Sequence, residues 1–376
     1  MNEAQPVGVP NVRAWAGQPS DLFQQDLIES IRQVRAGSPD GRMDDTGWTS
    51  ILAISGGGAN GAFGAGFLEG WTETGQRPVF RLVTGVSTGA LIAPFAFLGG
   101  EHDATLRRFY TTLRTEDVVR RKPLLLALAG TDAFADSTPL ARIIEETVTE
   151  ELLAAIAREY RRGRRLYVLT TNLDARRAVA WNMGAIAVSG RPEALELFRQ
   201  VMRASASIPV AMGPVYIPVE AHGLIYDEMH VDGGVTAEVF FYGFMLDLPS
   251  AARWAGVDPQ TAPPMRIFIL RNSQFRTPYE QVDPRVLPIA SRAIEGLIST
   301  QALGDLYRIY GIASRDGIAF NLARIPDDYI PQAAETFDPV EMRRLYELGR
   351  TMAAAGYAWE TQPPGLLQGE GVGGDD

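Results

Sequence analysis

Ile51-Leu52-Ala53-Ile54-Ser55-Gly56-Gly57-Gly58-Ala59-Asn60-Gly61 and, further along, Leu82-Val83-Thr84-Gly85-Val86-Ser87-Thr88-Gly89-Ala90 are built alike. In each, an apolar run of strand length breaks at glycine and passes into residues with helical spacing. Two strand–turn–helix units in succession predict parallel strands joined by a right-handed crossover, and so an α/β fold. The spacing places a first strand over 49–55, a helix over 60–73, a second strand over 80–84 and a helix over 88–98.

Outward from this core, residues 1–20 read as irregular. Residues 21–35 have helical spacing, with Leu22, Leu27, Ile28, Ile31 and Val34 as the apolar stripe, and 37–47 form a polar loop. Residues 102–160 read as mostly helical, with Thr138 as an N-cap before Pro139. Strands are expected over 166–171 and 178–183, joined by a hairpin turn at Asn172–Arg176, and again over 224–231, 265–270 and 318–322. Helices are expected over 192–204, 287–311 and 339–355. The resulting organisation is an N-terminal extension (1–48), a catalytic domain (49–325), a C-terminal helical segment (326–361) and a disordered tail (362–376) rich in Gly, Pro and acid.

The 376 residues are 46% hydrophobic and 21% charged, an ordinary globular composition. The net charge of −10 argues against nonspecific nucleic-acid binding and against electrostatic docking on anionic membranes. Arg161-Arg162-Gly163-Arg164-Arg165 is a local basic cluster that reads as a solvated helix end. The chain has no cysteine, so disulfides, thiolate metal sites and cysteine nucleophiles are excluded. No stretch approaches the roughly 18 apolar residues of a spanning helix. Residues 1–20 lack the basic start and apolar core of a signal peptide. Location stays open between the cytoplasm and export with a signal removed.

Gly85-Val86-Ser87-Thr88-Gly89 satisfies G-x-S-x-G, a serine on a sharp strand-to-helix turn with small neighbours, and makes Ser87 the candidate nucleophile. Gly56-Gly57-Gly58 offers backbone N–H groups at a helix start, where an oxyanion is favoured. A serine needs a base. The three histidines are His102, His222 and His230, and none follows residue 230, where the α/β-hydrolase order wants one. Asp232, in His230-Val231-Asp232-Gly233-Gly234, ends an apolar strand and is the stronger candidate, although Asp-Gly is also a common hairpin turn. Gly56–Gly61 also satisfies G-x-G-x-x-G, but the next strand end lacks the ribose-binding acid, and no Gly-Lys-Ser/Thr follows for a P-loop. Asn172 and Asp174 read as hairpin-turn residues, and Phe240-Phe241-Tyr242-Gly243-Phe244 as a buried helix or an acyl-pocket lining. A Ser-His-Asp esterase and a non-catalytic ligand- or nucleotide-binding protein remain as alternatives.

The glycine loop at 56–61, the serine turn at 85–89 and Asp232-Gly233-Gly234, in this order, resemble the patatin-like phospholipases. Ala204-Ser205-Ala206-Ser207-Ile208-Pro209 is similar to the segment preceding that family's aspartate strand. The resemblance implies a three-layer α/β/α sandwich with a mainly parallel sheet. It implies lipid acyl hydrolysis by a Ser87–Asp232 dyad, an oxyanion hole at Gly56, Gly57 and Gly58, and supporting turns at Gly85, Gly89, Gly233 and Gly234. No cofactor or metal is expected. The expected partners are a lipid or other carboxylic ester and, transiently, a membrane or micelle surface. Asn60 stands where the family pattern has Arg or Lys, so neutral esters stand beside phospholipids as substrates.

Overall fold

The computed structural model describes residues 3–38, 47–121, 135–209, 211–241, 245–258, 262–276, 279, 281–333 and 335–366. Its strands are β1 (Gln5–Pro6), β2 (Arg13–Trp15), β3 (Thr49–Ile54), β4 (Phe80–Val86), β5 (Arg120–Arg121), β6 (Ala135–Asp136), β7 (Arg165–Asn172), β8 (Arg177–Asn182), β9 (Val215–Ala221), β10 (Leu224–Asp232), β11 (Met265–Arg271) and β12 (Ala319–Arg324). Its helices are α1 (Asp21–Gly37), α2 (Gly61–Glu73), α3 (Thr88–Leu98), α4 (Asp103–Thr112), α5 (Thr115–Val118), α6 (Thr138–Thr147), α7 (Glu150–Arg161), α8 (Met183–Val188), α9 (Ala194–Ser205), α10 (Leu248–Trp254), α11 (Val286–Asp316) and α12 (Pro339–Ala354).

Apart from the small β5–β6 ladder, the strands form one ten-stranded sheet. At its centre, β12, β11, β3, β4 and β7 run parallel in that order. The middle strand explains the layering. Leu52 and Ile54 pack into a core with α2, α3, α4, α9 and α12, while Ile51 and Ala53 pack into a second core with α1 and α11. A strand buried on both faces must be apolar throughout, which is why β3 reads as a continuous apolar run. The protein is therefore an α/β/α sandwich.

An antiparallel extension positions the site. β8 pairs along one edge of β7, from Tyr167 to Asn172. The other edge is shared: β4 occupies it from Arg165 to Leu169, and β10 from Thr170 to Asn172. β4 and β10 thus approach head to head. Val86 lies opposite Leu169 and Asp232 opposite Thr170, so the residue leaving β4 and the last residue of β10 are brought together.

Several sequence expectations need correction. Residues 1–20 are not wholly irregular: β1 pairs with β9, and β2 with β8. β9 was not expected, because Pro218 interrupts its run. It forms nonetheless as a hairpin with β10, and the Pro218 carbonyl accepts the Val7 N–H at 3.1 Å. Thr138 is the first residue of α6 rather than its cap, and Asp136 Oδ1 accepts its N–H at 2.9 Å. Phe240 and Phe241 are buried but not helical, because this loop spends its carbonyls elsewhere: Phe240 O accepts the Thr84 hydroxyl at 2.8 Å. Residues 242–244 of that run lie outside the described residues, as do 39–46 of the polar loop and 367–376 of the tail. The basic cluster is only half solvated. Arg164 and Arg165 are buried, held by Glu159 at 2.9 Å and Asp26 at 2.7 Å. Among the described residues no helix is long and apolar enough to cross a membrane.

Candidate active site

Ser87 joins β4 to α3 at φ 55°, ψ −125°. A non-glycine residue there costs on the order of 1–3 kcal/mol, which the surroundings must hold. Part of the hold is a tether: the Ser87 N–H donates to Ser205 Oγ at 3.0 Å, and Ser205 Oγ donates to Leu169 O on β7 at 2.7 Å. The flanking glycines are dictated by contact. A Cβ on Gly85 would stand 2.3 Å from Gly89 O, and one on Gly89 would stand 2.3 Å from Ile54 O. The turn is thus pressed against the end of β3.

Asp232 is buried at the end of β10, with its N–H donating to Ser207 O at 2.9 Å. Its Oδ1 accepts the Gly234 N–H at 2.7 Å, so the two glycines fold the backbone back onto the carboxylate. Burial pushes the Asp232 carboxyl up to about 7, against the lowering effect of the Ser87 hydroxyl and the Gly234 amide. The Ser87 hydroxyl lies close enough to lower this pKa, yet among the described residues Oδ2 has no hydrogen-bond partner. Such bonds are often long before substrate arrives.

The histidines lie elsewhere. His230 is buried with both ring nitrogens engaged, Nδ1 with Thr170 Oγ1 at 2.9 Å and Nε2 with Glu228 Oε2 at 3.2 Å. Burial lowers its pKa. His222 sits with Gly223 at positive φ in the two-residue turn of the β9–β10 hairpin, and His102 lies on a short turn after α3. Asn172 is a turn residue, its Oδ1 accepting the Ala175 N–H at 2.9 Å, and Asp174 accepts the Met229 N–H at 2.8 Å.

The glycine loop divides its amides. The Gly56 N–H donates to Glu238 O at 3.0 Å and is not free for an oxyanion, which corrects its place among the donors. Gly57, at φ 143°, makes no amide hydrogen bond among the described residues. Gly58 opens the short turn that runs into α2, where first-turn N–H groups have no helical partner. Gly57 and Gly58 are therefore the amides left to offer. Asn60 is exposed, and its side chain makes no cap bond.

Four contributors were not read from the sequence. Asn272, just past β11, fastens the loop: Nδ2 donates to Ser55 O at 3.0 Å and Oδ1 accepts the Gly64 N–H at 3.0 Å. Strand ends are where such residues are sought, so position was the available clue. Asn272→Ala strands a buried donor and a buried acceptor, and is expected to destabilise the protein by about 2–4 kcal/mol in urea unfolding. Ser205 tethers the serine turn from within the Ala204–Pro209 segment. Glu238 is buried, and its carboxylate wedges between two loops: a Cβ on Gly56 would come within 2.7 Å of it, and one on Gly234 within 2.8 Å. Burial pushes the Glu238 carboxyl up to about 8, with the Asp232 and Asp305 charges adding and Arg271 opposing. Arg271 is buried too, which lowers its pKa to about 10, and among the described residues its Nε and Nη1 have no hydrogen-bond partner.

A cavity of about 730 Å³ lies at the opposite end of the sheet, lined by Leu27, Ile31, Thr49, Leu82 and Met265 among others. It is far from Ser87, so size alone does not mark the site.

The family model for patatin-like phospholipases matches residues 52–245, from β3 to beyond Asp232. Among solved structures, VipD from Legionella pneumophila aligns over 80% of this chain and 67% of its own, at 13% identity and a TM-score of 0.35. ExoU of the Pseudomonas aeruginosa type III secretion system, solved in complex with SpcU, aligns over 44% of this chain and 39% of its own, at 18% identity and a TM-score of 0.28. The chain thus spans well under half of ExoU's length. No curated protein matches the chain.

Proposed function

The chain belongs to the patatin-like phospholipase family, and from that membership we propose that it is a serine-dependent lipid acyl hydrolase acting through Ser87 and Asp232. The observation that carries the proposal is the head-to-head meeting of β4 and β10. One strand delivers a serine on a strained turn, and the other delivers a buried carboxyl that the serine hydroxyl contacts.

In this reading Ser87 Oγ attacks the ester carbonyl carbon as the Asp232 carboxylate takes the hydroxyl proton. The tetrahedral oxyanion accepts the Gly57 and Gly58 N–H groups at the start of α2, where the helix dipole also favours negative charge. Collapse breaks the bond to the leaving alkoxide, which takes the proton back from Asp232. Water then repeats the sequence on the acyl-serine, and the carboxylic acid departs. Every group these steps require is a side chain or amide of this chain. Substrates of this class are lipid esters and other carboxylic esters. The uncharged Asn60 favours neutral or zwitterionic head groups over anionic ones.

The base must be ionised, and burial sets its pKa at about 7. The rate constant kcat/KM for a soluble acyl ester is therefore expected to rise about tenfold per pH unit below 7 and to level off above it. A profile flat from pH 5 to 8 would refute Asp232 as the base. A phosphonate ester is expected to form a covalent adduct that mass spectrometry locates on Ser87. An adduct on another residue would refute the nucleophile.

A further inference from the structure

Two elements overhang the end of the sheet at which Ser87 and Asp232 meet. The first is the N-terminal half of α11. At 31 residues the helix is roughly 46 Å long, about twice the reach of a seven-residue strand. Its second half packs on the sheet through Leu306, Ile309, Ile312 and Ala313. From Val286 to Thr300 no described side chain is buried. α11 leads into β12, which is parallel to β11, so its N-terminal half stands beyond the C-terminal strand ends. That half is amphipathic: Val286, Ile289, Ala293 and Leu297 follow one stripe, and Ser291, Arg292, Glu295 and Ser299 the other side. The stripe faces solvent, with Val286 82%, Ile289 52% and Leu297 72% exposed. The arm borders the candidate site by another face: a Cβ on Gly234 would lie 3.8 Å from Ile298 Cγ2, and Gln301 Nε2 donates to Thr236 O.

The second element is the β9–β10 hairpin. β10 pairs with β7 only through its last three residues, so Leu224–Met229 run past the end of β7. There Leu224 and Ile225 are 60% and 67% exposed, with exposed Tyr226 next along the strand. Exposed apolar groups on two independent elements, at one end of the molecule, mark an interaction surface.

We infer that the α11 arm and the hairpin tip together dock the protein on a zwitterionic lipid surface, with phosphatidylcholine bilayers as the representative partner. The charges select it. Arg285 pairs with Asp283 at 2.5 Å and Arg292 with Glu295 at 3.6 Å, so the arm carries no excess charge. A chain of net charge −10 is repelled by anionic bilayers. Apolar insertion at the headgroup boundary is then the remaining source of affinity. The inference rests on the hydrolase reading for the choice of lipid and on exposure and charge for the surface itself.

The test is flotation of the full chain with phosphatidylcholine vesicles, beside hydrolysis of a water-soluble short-chain ester. Two double variants are compared with wild type: Ile289→Ser with Leu297→Ser, and Leu224→Ser with Ile225→Ser. Each is expected to lower the vesicle partition coefficient at least about tenfold while leaving soluble-ester turnover and Tm unchanged. Partition unchanged in either variant would overturn the inference, as would stronger binding to anionic vesicles. So would a dimer in sedimentation that either double variant dissociates, since a second copy would then be the occupant. Ser87→Ala is expected to float like wild type. A chain that floats but cleaves no ester leaves the surface standing and refutes the hydrolase reading. A chain that cleaves soluble ester but does not float refutes the surface alone.

Discussion

Ser87→Ala is expected to lower kcat/KM for a soluble acyl ester by about 10⁴–10⁶-fold, the loss found when the nucleophile leaves a group of residues that act as a unit. The reason the drop should be chemical rather than structural lies in what holds the turn. The tether from β4 to Ser205 and β7 uses the backbone N–H of residue 87, which alanine keeps. The packing against β3 uses Gly85 and Gly89, which are untouched. The hydroxyl contributes only its loose contact with Asp232. Ser87→Ala is therefore expected to unfold in urea close to wild type. A measurable fall in stability, or turnover above a hundredth of wild type, would remove Ser87 from the nucleophile's place.

The parts of this arrangement that were legible in the sequence are those dictated locally. β3 and β4 announce themselves because strands buried on both faces must be apolar, and the turns after them because only glycine fits so close to neighbouring backbone. The proposed pairing of Ser87 with Asp232 rests, in the sequence, on the lack of a late histidine and on the Asp-Gly-Gly turn. The geometry that joins them, two strands sharing one edge of β7, leaves no periodic trace in either strand. Other features failed for identifiable reasons. β1 and β2 have two and three residues, too few for any period. Arg164 and Arg165 read as solvated because their partners include Asp26, at the far end of the chain, and burial of a cation depends on the partner. The three consecutive glycines look equivalent, yet Gly56 spends its amide on the backbone of Glu238. Glu238 itself is an unremarked acid in a loop. Its burial comes from α11, where Asp305 accepts its N–H at 2.8 Å.

Asp232→Asn separates activity from stability, and the two effects should have opposite signs. Loss of a general base is expected to lower kcat/KM by roughly 10²–10⁴-fold. Stability should rise instead. The folded protein holds the carboxyl at about 7, above its ordinary value of 3.8, because burial disfavours the charge. The group's contribution to stability is then full below about pH 4 and is lost as pH rises through 7. At pH 8 the wild type carries an ionised, buried carboxylate that the unfolded chain would hold in water, a penalty of about 2–4 kcal/mol. Asparagine keeps the oxygen that accepts the Gly234 N–H and removes the charge. The variant should therefore match wild type in urea near pH 4 and exceed it increasingly toward pH 8. The same argument applied to Glu238, held at about 8 against its ordinary 4.5, gives Glu238→Gln a gain of about the same size at pH 8, growing from near pH 4.5 upward. An Asp232→Asn protein less stable than wild type at pH 8 would mean that the carboxylate is held by favourable contacts in its charged form, and its pKa would then be too low for the pH profile expected of the reaction. Stability and rate thus test one quantity, the free energy of an unpaired charge beside Ser87, and both measurements must agree on it.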